Sequence, residues 1–207
     1  MKFVFEFLYL FSSVLFIVGL KFLSNPARAR HGNTLAAVGM ALATVTLLAS
    51  LVLRPAGEQT HNLGLIVAAI AIGAVAGALG ARRVAMTDMP QMVAILNGCG
   101  GGSAALISTA EFLHLSHAKA GVDTMFGCII GSISFSGSVV AFAKLQGLVS
   151  EKAIRSPVQK AVNFVLFLGL LGLVGMLAFS GGGAPAFYAL LAVSLVFGVL
   201  TVTPIGG

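Results

Sequence analysis

The sequence predicts an all-α fold: a polytopic transmembrane helical bundle of about seven spans. Three observations predict it. Hydrophobic residues make up 58% of the 207 residues and charged residues only 9%, the mean hydropathy is +1.04, and long apolar runs alternate with short polar loops. A soluble domain carries about 25% charged residues, so this composition excludes one. We therefore expect residues 1–207 to form a single transmembrane domain.

Each of the seven apolar runs is long enough to cross a hydrocarbon core of about 30 Å as a helix. The first resembles a cleavable signal peptide, with Lys2 before it and Ala27-Arg28-Ala29 after it. However, Glu6 interrupts this run and its length suffices to span, so we expect a retained first helix. The second and third runs are rich in small apolar residues, the fourth and fifth carry polar residues in their interior, and the sixth and seventh are almost uniformly apolar. The predicted spans are residues 3–23, 34–53, 63–81, 90–112, 123–143, 160–179 and 185–202.

The distribution of Lys and Arg predicts the orientation of the bundle. The loops after spans one, three and five hold nine of the 12 basic residues, and the opposite side holds three. The positive-inside rule therefore places the N-terminus outside and the end of the seventh span in the cytoplasm. The net charge of +6 is spread between the spans and forms no patch that would indicate nucleic-acid binding. The nine are Lys21, Arg28, Arg30, Arg82, Arg83, Lys144, Lys152, Arg155 and Lys160, and the three are Lys2, Arg54 and Lys119.

The fourth span combines a helix start signal with polar and small residues in its interior. Thr87 and Asp88 are suited to cap a helix N-terminus, and Pro90 fits the first turn. At about 1.5 Å per residue from Pro90, Asn97 lies about 10 Å into the hydrocarbon core. One side of the predicted helix is polar or small along its whole length and is unsuited to contact lipid. This stripe consists of Asn97, Gly101, Ala104, Ser108 and Glu111.

The stripe has two interpretations. In the first, Gly98, Gly101 and Gly102 form a small surface that lets another helix approach closely, and Asn97 hydrogen-bonds across that contact. In the second, the stripe lines a hydrated path for a proton or a small ion. The glycine run also begins like a GxGxxG nucleotide loop, but Ser103 replaces the third glycine and no strand precedes it, so we expect no dinucleotide site there.

The fifth span carries a second pair of small residues and a block of alternating serines. Gly127 and Gly131 form another close-packing pair. The serines alternate over seven residues and so occupy two faces of a helix, one suited to packing and the other to contact with water. Counted from the cytoplasmic ends of the two antiparallel spans, Asn97 and Ser136–Ser138 lie at about the same depth, which adds support to the hydrated path and leaves both interpretations open. The serines are Ser132, Ser134, Ser136 and Ser138.

The remaining polar residues indicate neither a catalytic site nor a metal site. Cys99 and Cys128 both lie inside apolar runs, which is typical of small buried hydrophobes rather than of a disulfide or a metal ligand. The four histidines, His31 among them, fall near span ends, where histidine is usually solvated.

Several blocks of the sequence resemble the membrane domain of the β subunit of proton-translocating NAD(P) transhydrogenase. The resemblance covers Leu15 to Gly207, essentially the whole chain. Its specific parts are MTDMPQMVAI and SFSGSVVAFAKLQG, and it extends to RHGNTLAAVGMALA and LVFGVLTVTPIGG.

This resemblance implies a multi-pass subunit of an enzyme complex in the cell inner (plasma) membrane. Such enzymes transfer hydride from NADH to NADP⁺ in soluble domains, driven by protons moving inward through the membrane domain. In the family the β chain continues with further spans and a cytoplasmic NADP(H)-binding domain, which are absent from this sequence, so we expect this segment to bind no cofactor and to hold no hydride-transfer site. NAD(H) binding belongs to the α subunit, and the implied partners are that subunit, the NADP(H)-binding domain, a second copy of the protomer and the lipid bilayer.

The resemblance implies roles for only a few residues. Some members have a histidine implicated in proton transfer where this chain has Asn97, and an amide cannot take up and release a proton. We therefore expect Asn97 to hold water beside a titrating group elsewhere, with Glu111 as one candidate. Arg82, Arg83 and Asp88 lie on the cytoplasmic loop through which communication with the nucleotide domains would pass. The expected proton path comprises Asn97, Ser108, Glu111, Ser132, Ser136 and Ser138.

Two other classes of function fit parts of the pattern. A small-solute secondary transporter would need broken helices in two related halves. The glycines of the fourth span are compatible with this, but the chain shows no matching second half. A structural membrane anchor for soluble partners would not need the polar residues of spans four and five.

Overall fold

The computed structural model describes residues 2–23, 25, 27–53, 62–114, 121–150, 156–180 and 183–205. Across these residues the regular secondary structure is helical, with seven α-helices and one short 3-10 helix. All seven α-helices are long and apolar enough to cross a membrane. They are α1 (Lys2–Leu23), α2 (Ala29–Val52), α3 (Leu63–Arg83), α4 (Met89–His114), α5 (Val122–Leu145), α6 (Pro157–Ser180) and α7 (Gly183–Val202), with the 3-10 helix at Met86–Asp88.

The all-helical fold and the seven spans predicted from the sequence are confirmed. The predicted ends agree with the helices to within three residues except at α2, which begins at Ala29 rather than at residue 34. The early start has a simple cause, since backbone hydrogen bonds form equally well through polar residues outside the hydrocarbon core. The orientation stays a prediction, and four of its basic residues lie outside the described part of the chain: Arg54, Lys119, Lys152 and Arg155.

The described residues form two compact units, of which the first is Met1–Gly80. Within it α1 and α2 pack as a close antiparallel pair through small residues. A Cβ atom at Gly32 would lie 2.6 Å from the Gly19 carbonyl oxygen, so the two backbones are in contact. Further along the pair, the buried Ser12 hydroxyl donates a hydrogen bond to the Gly39 carbonyl oxygen.

The second unit, Ala81–Gly207, is organised around α5. Both α4 and α7 pack against α5, and α6 packs mainly against α7. The apolar core lies towards one end of these helices, where the Phe112 and Phe187 rings stack with their centroids 4.0 Å apart. The buried core residues are Phe112, Met125, Cys128, Leu170, Leu177, Ala186, Phe187 and Leu190.

Candidate functional site

A polar contact joins α4 and α5 inside their membrane-spanning lengths. Asn97 Nδ2 donates a hydrogen bond to Ser138 Oγ at 2.8 Å. Asn97 lies eight residues after the start of α4 and Ser138 seven residues before the end of α5, so both are about 10 to 12 Å from those ends. Ser138 is buried, whereas Asn97 is exposed on its other side. Asn97 is therefore in direct contact with one residue of the Ser136–Ser138 segment that the sequence places at its depth.

Next to this pair, α4 and α5 touch through glycine residues. A Cβ atom at Gly101 would lie 2.7 Å from the Phe135 amide nitrogen, and one at Gly131 would lie 2.6 Å from the Ala105 amide nitrogen. Two backbones in such contact leave no room for water between them. The remaining predicted packing glycines line the same contact: Gly98 beside Ser138, Gly102 beside Phe135, and Gly127 beside Ser108.

The serine block of α5 divides between two neighbouring helices. Ser134 and Ser138 face α4, where both lie against glycines. Ser136 faces α7, because a Cβ atom at Gly198 would collide with its hydroxyl. The alternation of the serines thus places them on two faces of α5, as their spacing predicts.

The two serines of the α7 face are buried and bond differently. Ser136 Oγ donates to the Ser132 carbonyl oxygen at 2.9 Å, one turn earlier in its own helix. Ser132 is fully buried, and its hydroxyl has no nitrogen or oxygen partner among the described residues. Of the three α5 serines expected on the path, the structure brings only Ser138 to Asn97.

The predicted stripe on α4 separates into a contact face and a flank. Gly101 and Ser108 are buried against α5, whereas Asn97 and Glu111 are exposed beside that contact and Ala104 is half-buried between them. Asn97 and Glu111 are 14 residues apart, so they share one side of the helix about 21 Å apart.

The three residues of the predicted coupling loop are all exposed. Arg82 and Arg83 form the last turn of α3, and Asp88 ends the 3-10 helix that precedes α4. The Thr87 hydroxyl lies 3.4 Å from the Asp88 carboxylate, and α4 begins directly after Asp88 with Pro90 in its first turn.

Lys144 lies in the last turn of α5 and is one of the basic residues that predict the orientation. Its side chain is buried against the C-terminal end of α7. Only 4% of its surface is exposed. Its Nζ donates to three backbone carbonyl oxygens, those of Val202 at 3.1 Å, Thr203 at 3.0 Å and Ile205 at 2.6 Å. The last carbonyl groups of a helix lack partners within it and form the negative end of its dipole. One ammonium group therefore completes the end of α7, a role that the sequence analysis missed.

Other side chains bond to carbonyl groups at the same ends of these helices. Gln91 Nε2 of α4 donates to the Leu145 carbonyl oxygen at 3.1 Å, and Gln159 Nε2 of α6 donates to that of Leu200 at 3.1 Å. Asn163 Nδ2 lies 3.4 Å from the same Leu200 oxygen. The amide oxygens of Gln91 and Asn163 are buried without a hydrogen-bond partner among the described residues. Polar contacts thus link α4 to α5, α5 to α7, and α7 to α6.

The two cysteines are free, and they differ in burial. Cys128 is buried, as expected of a small hydrophobe, whereas Cys99 is exposed on α4. Across the described residues, no group of three or more His, Cys, Asp and Glu side chains is arranged to hold a metal ion.

Comparison with known proteins gives a match over almost the entire chain. The family model of the NAD(P) transhydrogenase beta subunit matches residues 5–207. Two sequences of NAD(P) transhydrogenase subunit beta, one from Rhodospirillum rubrum and one from a named strain of that species, are each 38% identical over 209 residues. The chain covers 43% of the length of these relatives, and 96% of the chain is matched.

Proposed function

Because the chain belongs to the NAD(P) transhydrogenase beta subunit family, we propose that it forms part of the membrane domain of that subunit and conducts protons. Inward proton movement would drive hydride transfer from NADH to NADP⁺ in soluble domains attached to the membrane part. In this proposal those domains bind both nucleotides, and the segment described here performs no hydride chemistry.

The observation that carries the proposal is the Asn97–Ser138 hydrogen bond within two membrane-spanning helices. Polar side chains at such depth are costly and commonly mark ion and proton pathways. The bond uses one amide hydrogen and one hydroxyl lone pair, which leaves the amide oxygen, the second amide hydrogen and the hydroxyl hydrogen able to bind water. An amide does not titrate, so we infer that the pair holds water beside a titrating group.

The packing of α4 on α5 supports a path along the flank of α4 rather than between the two helices. The backbones touch at Gly101 and Gly131, which excludes water there. The flank instead carries Asn97 and, four turns on, the carboxyl group of Glu111. Ser108 is buried in the α4–α5 contact beside this flank, and a helix from the longer subunit or from a partner would supply the facing wall.

A second polar row, on the α7 face of α5, is proposed to assist the path. Ser132 and Ser136 are buried there, and the Ser132 hydroxyl has no nitrogen or oxygen partner within the described part of the chain, so it can still bind water. Lys144 lies two and three turns further along α5 and orders the end of α7 beside this row.

The partners and the orientation follow from the same proposal. We place the chain in the cell inner membrane with its N-terminus outside, beside the α subunit, the NADP(H)-binding domain and a second copy of the protomer. Arg82, Arg83 and Asp88 would then lie on the cytoplasmic surface, where their exposure suits contact with the nucleotide-binding domains.

A structural anchor for the soluble domains is the second candidate, because the glycine contacts between α4 and α5 favour it. In that case the Asn97–Ser138 bond only strengthens helix association, and bonds of this kind contribute about 0.6 kcal/mol on average in membrane proteins. Losing it would lower stability slightly and leave proton coupling unchanged.

The test is Asn97→Leu in the complete transhydrogenase complex reconstituted in liposomes. We expect proton-coupled transhydrogenation to be abolished while hydride exchange by the soluble domains persists. Ser103→Leu is the matched control: Ser103 is exposed on α4, and its hydroxyl donates to the Cys99 carbonyl oxygen of its own helix. Ser138→Val should give a smaller loss, because water can still bind the remaining amide.

The readouts are pH change inside the liposomes and the rate of NADP⁺ reduction by NADH. Unchanged proton pumping in Asn97→Leu would remove this residue from the path and favour the anchor. Equal losses in Asn97→Leu and Ser103→Leu would show that the effect comes from adding a large side chain to α4.

A further inference from the structure

A groove of about 620 Å³ lies between α1 and α2 at the end where the two helices are joined. Because these are the ends of two membrane-spanning helices, the mouth of the groove lies at the membrane–water interface. The groove is open on one side, and the α1 wall is formed by Phe22. The lining residues are Phe22, Ala27, Arg28, His31, Thr34, Leu35 and Val38.

The lining of the groove changes from cationic to apolar along α2. Arg28, His31, Leu35 and Val38 follow one another at spacings of three and four residues, so they form one row on a single face of the helix. At about 1.5 Å per residue, Val38 lies about 15 Å deeper in the membrane than Arg28. The row therefore presents a guanidinium and an imidazole at the interface and two aliphatic side chains below them.

The guanidinium at the mouth of the groove lies over an aromatic ring. Arg28 Cζ lies 5.9 Å from the centroid of the Phe22 ring, a cation–π distance. The arginine has five N–H donors in a planar fork, which suits the oxygens of a phosphate group.

We propose that this groove binds one anionic phospholipid. The phosphate is held by Arg28 and His31, and one acyl chain lies along Leu35 and Val38 against Phe22. Basic pockets between spanning helices at a membrane surface recognise anionic head groups, because the charge of the lipid complements that of the protein. The site does not depend on the proton path, which lies in the other compact unit of the chain.

The apolar part of the groove distinguishes a lipid from a free anion. An inorganic phosphate would contact only the mouth and would leave Leu35 and Val38 uncovered. A further protein helix is also disfavoured, because the small residues that allow close helix approach, Gly32 and Gly39, are already packed against α1. A flexible acyl chain fits the aliphatic row that is left.

The test compares Arg28→Gln with Arg30→Gln in the complete complex, reconstituted in nanodiscs of phosphatidylcholine with a minor fraction of phosphatidylglycerol. Arg30 lies in the same turn of α2 and has the same charge, but it does not line the groove. A cation near the membrane surface contributes about 1 kcal/mol to binding of anionic lipid, which is about fivefold in affinity. We expect retention of phosphatidylglycerol, counted by native mass spectrometry, to fall about fivefold in Arg28→Gln and to stay unchanged in Arg30→Gln.

One further variant and one spin-label experiment identify the ligand. Arg28→Lys keeps the charge and should retain most of the binding, which separates loss of the site from misfolding of the hairpin. Spin-labelled phosphatidylglycerol should show an immobilised acyl chain in the wild type and in Arg30→Gln but not in Arg28→Gln. Millimolar inorganic phosphate should not displace it.

Three outcomes would overturn the proposal. Equal losses of phosphatidylglycerol in Arg28→Gln and Arg30→Gln would mean that general surface charge, and not the groove, retains the lipid. Displacement of the labelled lipid by inorganic phosphate would mean that the groove binds an anion at its mouth and does not bind an acyl chain. A polypeptide segment seated in the groove in an experimental structure of the complete complex would mean that protein covers this face.

Discussion

The α1–α2 pair and the α4–α5 pair are built alike but differ in the polar contacts that they make. Both are antiparallel pairs whose backbones touch at glycine residues. In α1–α2 the buried Ser12 hydroxyl donates to a backbone carbonyl oxygen. In α4–α5 the Asn97 amide donates to the Ser138 hydroxyl, and the amide is exposed on its other side.

This difference lies in the capacity that each contact leaves for binding water. A hydroxyl bonded to a backbone carbonyl oxygen in a closed contact has little capacity left for water. An amide bonded to a hydroxyl at the edge of a contact keeps several donors and acceptors free. Glycine-lined contact is therefore common to both pairs and indicates nothing about proton transfer, whereas the side-chain pair is specific to α4–α5.

The largest expected effect is that of adding a large side chain at the glycine contacts, and it should be equal in the two pairs. Gly101→Leu and Gly32→Leu each place a Cβ atom within 2.6 to 2.8 Å of backbone atoms in the facing helix. We expect each to destabilise the protein by about 3 kcal/mol, the upper range for overpacked cores. Thermal unfolding in detergent measures this. Gly100→Leu, where a Cβ atom meets no other part of the structure within 4 Å, is the control and should be near neutral.

The next largest effect concerns the contacts of Lys144 between α5 and α7. These contacts lie in the same compact unit as the α4–α5 pair and have no counterpart among the α1–α2 contacts described above. Lys144→Met removes the donor to three carbonyl oxygens, and a bond to a charged group contributes about 1.5–3 kcal/mol. We expect hydrogen exchange at the end of α7 to accelerate by at least about tenfold. Lys160→Met, at an exposed lysine of α6, should leave it unchanged. If the end of α7 is equally protected in both variants, the Lys144 contacts do not order it.

A smaller effect is the coupling between Asn97 and Ser138 measured by a double-mutant cycle. With Asn97→Leu, Ser138→Val and the double variant, we expect a coupling free energy of about 0.6–1.7 kcal/mol, the range for hydrogen bonds between membrane helices. Additive stabilities would mean that the two side chains do not interact. The proton-pumping rates of Asn97→Leu and of the double variant should instead both be near zero.

The smallest effect is that of Ser12→Ala in the α1–α2 pair. Loss of one hydrogen bond to a backbone carbonyl oxygen should cost about 0.6 kcal/mol and leave proton-coupled transhydrogenation unchanged. A coupling defect in this variant would contradict the distinction drawn between the two pairs.

Most of the fold follows from composition, since a bilayer demands long apolar helices and the chain contains seven such runs. The family also follows from short specific blocks such as MTDMPQMVAI, and the family match confirms it. Depth counting placed Asn97 level with the Ser136–Ser138 segment, because the rise of antiparallel helices is known, but it did not select Ser138 as the contact.

Contacts that depend on distant parts of the chain could not be predicted. The bond from Lys144 to Val202 joins residues 58 positions apart, and only the packing of α7 on α5 brings them together. The separation of Ser132 and Ser136 from Asn97 likewise depends on which helix each face of α5 meets. Helical periodicity predicts that two faces exist but not which neighbour covers each one.

The Lys144 contacts also impose an order on biogenesis. A ribosome adds about 5–20 residues per second, so the 58 positions that separate Lys144 from Val202 represent about 3 to 12 seconds of synthesis. During that interval the ammonium group has no helix end to bind and must stay hydrated at the surface. The Lys144 contacts can therefore form only after the end of the seventh helix has been synthesised.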